Sequence, residues 1–182
     1  MVPVRVVLTY ADYVALPDDG KRYEIHDGEL SMTPAPGRKH QRVVLRLAAM
    51  LDAHVSAHDL GEVDIAPFDV VLSDPSIVQP DIIFVATERA AAFSNRGFEG
   101  APTLTVEVLS RWTARLDRST KRQLYARHGV PHYWIVDPDQ RTIEAHLLSG
   151  SVYGAPITFR GDNLVDLPPF PGLTLDPVAL WS

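Results

Sequence analysis

The stretch Leu104-Thr-Val-Glu-Val-Leu-Ser-Arg-Trp-Thr-Ala-Arg-Leu-Asp-Arg-Ser-Thr-Lys-Arg-Gln-Leu-Tyr-Ala-Arg-His-Gly-Val-Pro-His-Tyr-Trp-Ile-Val-Asp137 carries the organisation of the chain. Leu104 to Leu109 reads as a strand. Asp117 to His128 reads as a helix: Asp117 can cap its start, Gly129 ends it and Pro131 follows. His132 to Asp137 reads as a second strand, closed by a turn at Pro138-Asp139. Alternation along Tyr133-Trp134-Ile135-Val136 puts at least one of the two aromatic rings in the core. Upstream, Asp81-Ile-Ile-Phe-Val-Ala86 is a short unbroken apolar run, the mark of a strand covered on both faces. Strands surrounded by helices imply a mixed sheet flanked by helices, an α/β arrangement of the α+β mixed-sheet kind.

Working outward, Thr9-Tyr-Ala-Asp12 is a capping box with Asp in place of Glu, opening a short helix that stops before Pro17. Arg22 to Met32 reads as a hairpin whose turn is Asp27-Gly28, because a primed turn needs positive φ. Pro34-Ala-Pro-Gly37 breaks the chain. From Lys39 to Ala57 apolar residues recur at Val43, Val44, Leu47, Met50, Leu51 and Val55, a helical period with Arg38, Arg42 and Arg46 along one edge. Gly61 to Leu72 reads as one long strand and Asp74-Pro-Ser76 as a turn. Thr87 caps a short helix through Phe93, and Ser94 to Ala101 is a loop. Two more strand-like runs follow Asp139, and Leu167-Pro-Pro-Phe-Pro-Gly172 is irregular. With no internal repeat or linker, one domain over residues 1–182 is the expectation.

The 182 residues include no cysteine, which excludes a disulfide framework, a thiolate zinc site and a cysteine nucleophile. A hydrophobic content of 46% and a charged content of 22% fit a soluble globular protein. No apolar run reaches the roughly 18 residues of a membrane span. Met1-Val-Pro-Val-Arg-Val-Val-Leu8 lacks the pattern of a signal peptide, so a cytoplasmic protein is expected. The net charge of -6 argues at first against a nucleic-acid partner. Yet Arg38 to Arg46 holds four basic residues and no acid, and Arg111 to Arg127 holds six with one acid, Asp117. These two segments carry 10 of the 17 Lys and Arg, leaving 7 basic residues against 22 acidic ones elsewhere. Two basic patches therefore sit in an acidic body. Either run by itself is explained by a solvated helix face.

Gln79-Pro80-Asp81 and Val106-Glu107-Val108 each set one carboxylate at a strand expected to be buried. A buried acid is costly unless it is paired or binds a metal. Two on neighbouring strands would make a hard-oxygen site suited to Mg²⁺ or Mn²⁺. Either acid alone is more simply a strand end facing water or an arginine. Lys121, 14 positions after Glu107, falls in the following helix, where it could stabilise developing negative charge or hold an attacking water. By spacing alone, a solvent-facing lysine is the simpler account.

Taken in order, Arg22-Tyr-Glu-Ile-His-Asp-Gly-Glu-Leu30, Pro34-Ala-Pro36, His40-Gln41, Pro80-Asp81, Glu107-Val-Leu-Ser110, Asp117, Lys121, Tyr125, Gly129-Val-Pro131 and Tyr133-Trp-Ile-Val-Asp-Pro138 resemble the Uma-two-type endonuclease family of the PD-(D/E)xK superfamily. The resemblance spans Tyr10 to Leu175. It implies a restriction-endonuclease-like core, with a central mixed sheet flanked by helices, an N-terminal β-hairpin and extra C-terminal strands. It also implies that Asp81, Glu107 and the main-chain carbonyl of Val108 hold Mg²⁺ or Mn²⁺. The superfamily pattern has a lysine two residues after the second acid, where this chain has Leu109. Related families with that gap carry the lysine on the next helix, the place of Lys121. Glu24 matches a carboxylate of the first strand and His40 a histidine that opens the long helix, which adds both to the catalytic candidates. Arg38, Lys39, Arg42, Arg111, Arg115, Arg118 and Arg122 are the candidates to grip phosphates. The function implied is a metal-dependent endonuclease acting on phosphodiester bonds, with DNA as the expected substrate. A homodimer is expected, since two sites can then address two strands.

Two other readings stay open. One is a nuclease fold that binds nucleic acid or a protein partner without cutting. The other is a hydrolase using paired carboxylates on a sugar. His54 and His58 have the i, i+4 spacing of a zinc pair, but no acidic helix partner accompanies them. Ser110, Ser119, His128 and His132 lack a nucleophile elbow, and no glycine-rich phosphate loop is present. Trp112, beside Arg111 and Arg115, could stack on a base. A rim aromatic covering the helix start is the simpler reading.

Overall fold

The computed structural model describes residues 6–161 and 166–182. Most of the N-terminal stretch read for a leader lies outside the described residues. The elements are α1 Tyr10–Val14, β1 Arg22–His26, β2 Glu29–Thr33, α2 Arg38–Ala57, β3 Gly61–Ile65, β4 Val70–Ser73, β5 Ser76–Val78, β6 Ile82–Ala86, a 3₁₀ turn Thr87–Ala92, β7 Phe93–Ser94, β8 Gly97–Glu99 and β9 Leu104–Val108. Then come α3 Ala114–Leu116, a π turn Asp117–Lys121, α4 Arg122–Arg127, β10 His132–Asp137, β11 Thr142–Ser149, β12 Val152–Tyr153, β13 Ile157–Phe159 and α5 Pro177–Trp181.

Two mixed sheets form. The larger has the order β12-β11-β10-β9-β6-β3, with β13 added on β11. Its β9 and β10 run parallel, joined by α3, the π turn and α4, while its other pairs are antiparallel. The smaller has the order β2-β1-β5-β4-β8-β7. The N-terminal hairpin belongs to it through β1 and β5.

Side-chain alternation explains which way the strands face. Ile82 and Phe84 of β6, Leu104, Val106 and Val108 of β9, and Trp134 and Val136 of β10 turn to one face. There they bury against Val43, Val44, Leu47, Leu51 and Val55 of α2, and against Phe170 and Leu173 of the tail. Each such side chain removed from water contributes about 1.5–3 kcal/mol. Ile83, Val85, Tyr133 and Ile135 turn to the other face and meet Leu124, Tyr125 and Val130. Glu107 shares this second parity, which turns it toward the helix that follows β9. Both rings of Tyr133 and Trp134 are buried. Trp134 Nε1 donates to the Pro168 carbonyl at 2.8 Å.

The hairpin turn is as expected: Asp27 has φ 50° and Gly28 φ 82°. A Cβ on Gly28 would also lie 2.4 Å from Val7 Cγ1. Asp12 closes the box at α1 by accepting from the Thr9 N–H at 2.8 Å. Gly129, with φ 76°, ends the helix before β10.

Four expectations are corrected. Gly61 to Leu72 is not one strand. Pro67, without an N–H, cannot continue a ladder, and the chain crosses there from β3 in the larger sheet to β4 in the smaller. Ser94 to Ala101 is not a plain loop, since Phe93–Ser94 pairs with Gly97–Glu99. Thr87 lies inside its short helix, whose cap position is Ala86. Asp117 does not cap a helix. The helix begins earlier, at Ala114, and Asp117 lies buried within it at the start of the π turn.

Candidate active site

Five elements deliver ionisable side chains to the floor of one cleft of about 360 Å³. Asp81 comes from the residue before β6, Glu107 from β9, and Asp117 and Lys121 from the π turn. His40 comes from the first turn of α2 and Arg22 from β1. The π turn is itself informative, because such turns are rare and concentrate where a helix must present side chains for function. Here it buries Asp117 and Lys121 on one side, and the Tyr133 hydroxyl donates to the Asp117 carbonyl at 3.0 Å.

Lys121 is only 3% exposed. Its Nζ donates to Glu24 Oε1 at 2.9 Å and to Glu107 Oε1 at 3.0 Å. The Tyr125 hydroxyl donates to the same Glu107 oxygen at 2.6 Å. Glu24 is further held by the Gln79 N–H at 2.7 Å and by His26 Nε2 at 3.1 Å. Asp81 forms the second half of the floor. Its Oδ2 lies 3.0 Å from His40 Nε2 and accepts from the Val108 N–H at 2.8 Å, while Arg22 donates to Oδ1 at 3.3 Å.

The electrostatics follow from burial and partners. Burial would raise Asp81, but His40, Arg22 and the Val108 N–H outweigh it and hold the carboxyl below its ordinary range. Burial opposes ionisation of Glu24 too, yet Lys121, His26 and Arg22 hold it low. Glu107 goes the other way. Burial, reinforced by the carboxylates of Asp117, Asp81 and Glu24, outweighs Lys121 and pushes Glu107 up to about 8. Burial likewise pushes Asp117 up to about 6. Burial disfavours the charge on Lys121, but Glu107, Glu24 and Asp117 hold it well above an ordinary lysine, so it stays an ammonium.

Among the described residues, no three Asp, Glu or His side chains form a ready-made metal cage. A hard divalent cation does not need one. Mg²⁺ is commonly held by one or two carboxylates, with water and substrate phosphate completing the shell. Asp81 and Glu107 supply such oxygens at the floor of an open cleft. Burial and the neighbouring carboxylates both oppose ionisation of Glu107, an opposition that a divalent cation would relieve. The residues present therefore fit a cation of this type.

The structure gathers Asp81, Glu107, Lys121, Glu24 and His40. The main-chain group of Val108 seen to engage the floor is its N–H, on Asp81. The phosphate-gripping candidates divide. Lys39 and Arg111, one from each basic run, line the cleft. Arg38, Arg42 and Arg115 are exposed but do not line it. Arg118 is bound to Glu144 at 2.8 Å, and Arg122 donates to the Tyr153 carbonyl at 2.9 Å beside a separate pocket. Sequence reasoning missed Arg22 and His26. With Glu24 they occupy alternate positions of β1, a charged stripe on a strand that period-two reading could have flagged. His54 and His58 lie against each other with ring centroids 4.4 Å apart and planes tilted by 36°.

Strands β6 and β9 beside a helix that sends a lysine back to the second acid define a restriction-endonuclease-like core, the fold class of nucleases. The chain belongs to the Uma2 family, described as "Putative restriction endonuclease", which it matches over residues 10–178. That membership places it among nucleases. Its fold is shared with a crystal structure titled as a "putative nuclease belonging to DUF820" from Anabaena variabilis. The TM-score is 0.79 at 22% identity, over 96% of this chain and 97% of the other. No curated protein matches the chain.

Proposed function

We propose that this chain is a divalent-metal-dependent endonuclease that hydrolyses phosphodiester bonds in DNA. The observation that carries the reading is Lys121, buried and bridging Glu24 and Glu107 at the floor of the cleft that also contains Asp81.

Asp81 and Glu107 would hold Mg²⁺ or Mn²⁺, with the main chain at Val108 beside them. Bound there, the cation supplies a polarised phosphate oxygen and a water of lowered pKa. The other groups have separate tasks. Lys121 keeps its proton, so it cannot take one from water. Its task is to offset negative charge as the phosphorane-like state forms. Glu24 fixes the Lys121 ammonium. Tyr125 orients Glu107, and His40 orients Asp81. Arg22 is a second cation on the floor, aimed at Asp81 and available to phosphate oxygens. Lys39 and Arg111 at the rim attract the backbone of the substrate.

A plasmid-nicking assay tests this. Wild-type protein is expected to nick supercoiled DNA with Mg²⁺ or Mn²⁺ and to stop in excess chelator. Asp81→Ala, Glu107→Ala and Lys121→Met should each lose about 100- to 1000-fold, the scale of removing one preorganised charged group. Full-rate nicking by the two acid variants, or by wild-type protein in chelator, would overturn the reading. DNA binding with no cutting under any metal would favour a binding module, a reading that the full engagement of Asp81 by Arg22, His40 and Val108 also accommodates.

A further inference from the structure

One residue of the cleft is at odds with the rest. The floor groups are almost wholly withdrawn from water, with Asp81 4% and Glu107 3% exposed. Trp112, which lines the same cleft, is 67% exposed. Leaving so large an apolar surface in water is costly. The backbone that carries the ring is held in place. Ser110 Oγ accepts from the N–H groups of Trp112 and Thr113, each at 3.2 Å, and pairs with Thr113 Oγ1 at 3.1 Å. The Arg111 guanidinium lies over the indole, 4.5 Å from its centroid, a cation–π contact on a ring that stays two-thirds exposed.

We propose that Arg111 and Trp112 form a stacking platform for an unpaired nucleobase, so that the cleft takes single-stranded or locally unpaired nucleic acid in preference to intact duplex. The inference rests on the nuclease reading and names its substrate class. Three observations favour it. An exposed indole backed by arginine is the chemistry of a sequence-tolerant base platform, since every base has a π-face. A cleft of about 360 Å³ belongs to the size class of small-ligand pockets and suits one nucleotide rather than a rigid helix. Carboxylates sunk to the floor are reached more easily by a strand that can leave a base stack than by a fully paired one.

The test is binding without turnover. Labelled single-stranded and blunt duplex oligonucleotides of one sequence are titrated, in chelator, into wild-type protein, Trp112→Ala and Trp112→Phe. The readouts are probe anisotropy and protein fluorescence. Of the three tryptophans, Trp134 is buried, and Trp181 packs against the core and does not line the cleft, so Trp112 is the reporter. Trp112→Ala should weaken single-strand binding about 5- to 150-fold, the range of one base–aromatic stack. Duplex binding should stay where it was, Trp112→Phe should retain most of the single-strand affinity, and both variants should lose the quenching that single strands cause. Equal losses on both substrates, no loss at all, or quenching that survives in Trp112→Phe would overturn the platform. Nicking that persists with an indifferent Trp112 sinks the platform alone. Single-strand quenching without any cutting sinks the catalytic reading alone. No binding of either oligonucleotide sinks the platform and leaves the catalytic reading to the nicking assay.

Discussion

Glu107 and Glu24 show how one lysine can serve two carboxylates unequally. Both accept from Lys121, but Glu24 has further donors in His26 and Gln79, while Glu107 faces three other acids. In metal-free protein this makes Glu107 a source of pH sensitivity. Its carboxyl is raised from 4.5 to about 8 on folding, so its contribution to stability is whole below pH 4.5 and is lost as pH rises through 8. Asp117 acts in the same sense over a lower window, ending near 6. Glu107→Gln keeps an acceptor for Lys121 and Tyr125 but cannot ionise. Urea unfolding in chelator should therefore show wild-type stability falling between pH 6 and 8 and the variant flat across that window. A parallel decline in both would contradict the assignment. Sequence spacing and family resemblance together singled out Asp81, Glu107 and Lys121 because each stands in a motif of fixed order. Asp117 was misread as a cap because an acid at a helix start and an acid inside a π turn have the same local sequence. Arg22 and His26 stayed hidden because only the pairing of β1 with β5 brings that hairpin to the cleft.

At the scale of elements, the π turn is the device that puts Lys121 on the second acid 14 residues after it, in place of a lysine on the strand itself. Tyr133 steadies the turn from β10 through its bond to the Asp117 carbonyl. Tyr133→Phe leaves that carbonyl without its donor and should cost about 1–3 kcal/mol in urea unfolding. It should also slow nicking, although Tyr133 does not line the cleft. Unchanged stability would show the bond to be dispensable. A π turn leaves no mark in hydrophobic period over so few residues, which is why the sequence suggested a plain helix there. The elements read correctly were those with strong local signals, namely the Asp27-Gly28 turn, the α2 stripe of Val43, Val44, Leu47, Leu51 and Val55, in which Met50 is only partly buried, and the apolar run of β6. The run from Gly61 to Leu72 misled because β-rich composition continues across Pro67 while the chain changes sheets.

For the molecule as a whole, the net charge of -6 conceals a basic rim over an acidic floor. Folding brings Lys39 and Arg111 from the two basic runs to one cleft, pairs Lys39 with Asp139 at its rim, and commits Arg118 and Arg122 to Glu144 and the Tyr153 carbonyl. Binding to DNA should accordingly weaken as salt rises. Arg111→Ala should reduce the slope of log affinity against log salt by about 1, whereas Arg118→Ala and Arg122→Ala should leave it unchanged. Equal effects from all three would mean that the whole basic surface, rather than the cleft rim, meets the backbone. Among the described residues, no helix is long and apolar enough to cross a membrane.

The central claim is that Asp81 and Glu107 together hold a catalytic divalent cation. Anomalous diffraction from crystals soaked in Mn²⁺ tests it most directly. The account predicts one strong peak shared by the two carboxylates, absent from Glu107→Gln crystals. A peak away from both acids, or none at saturating Mn²⁺, would contradict it.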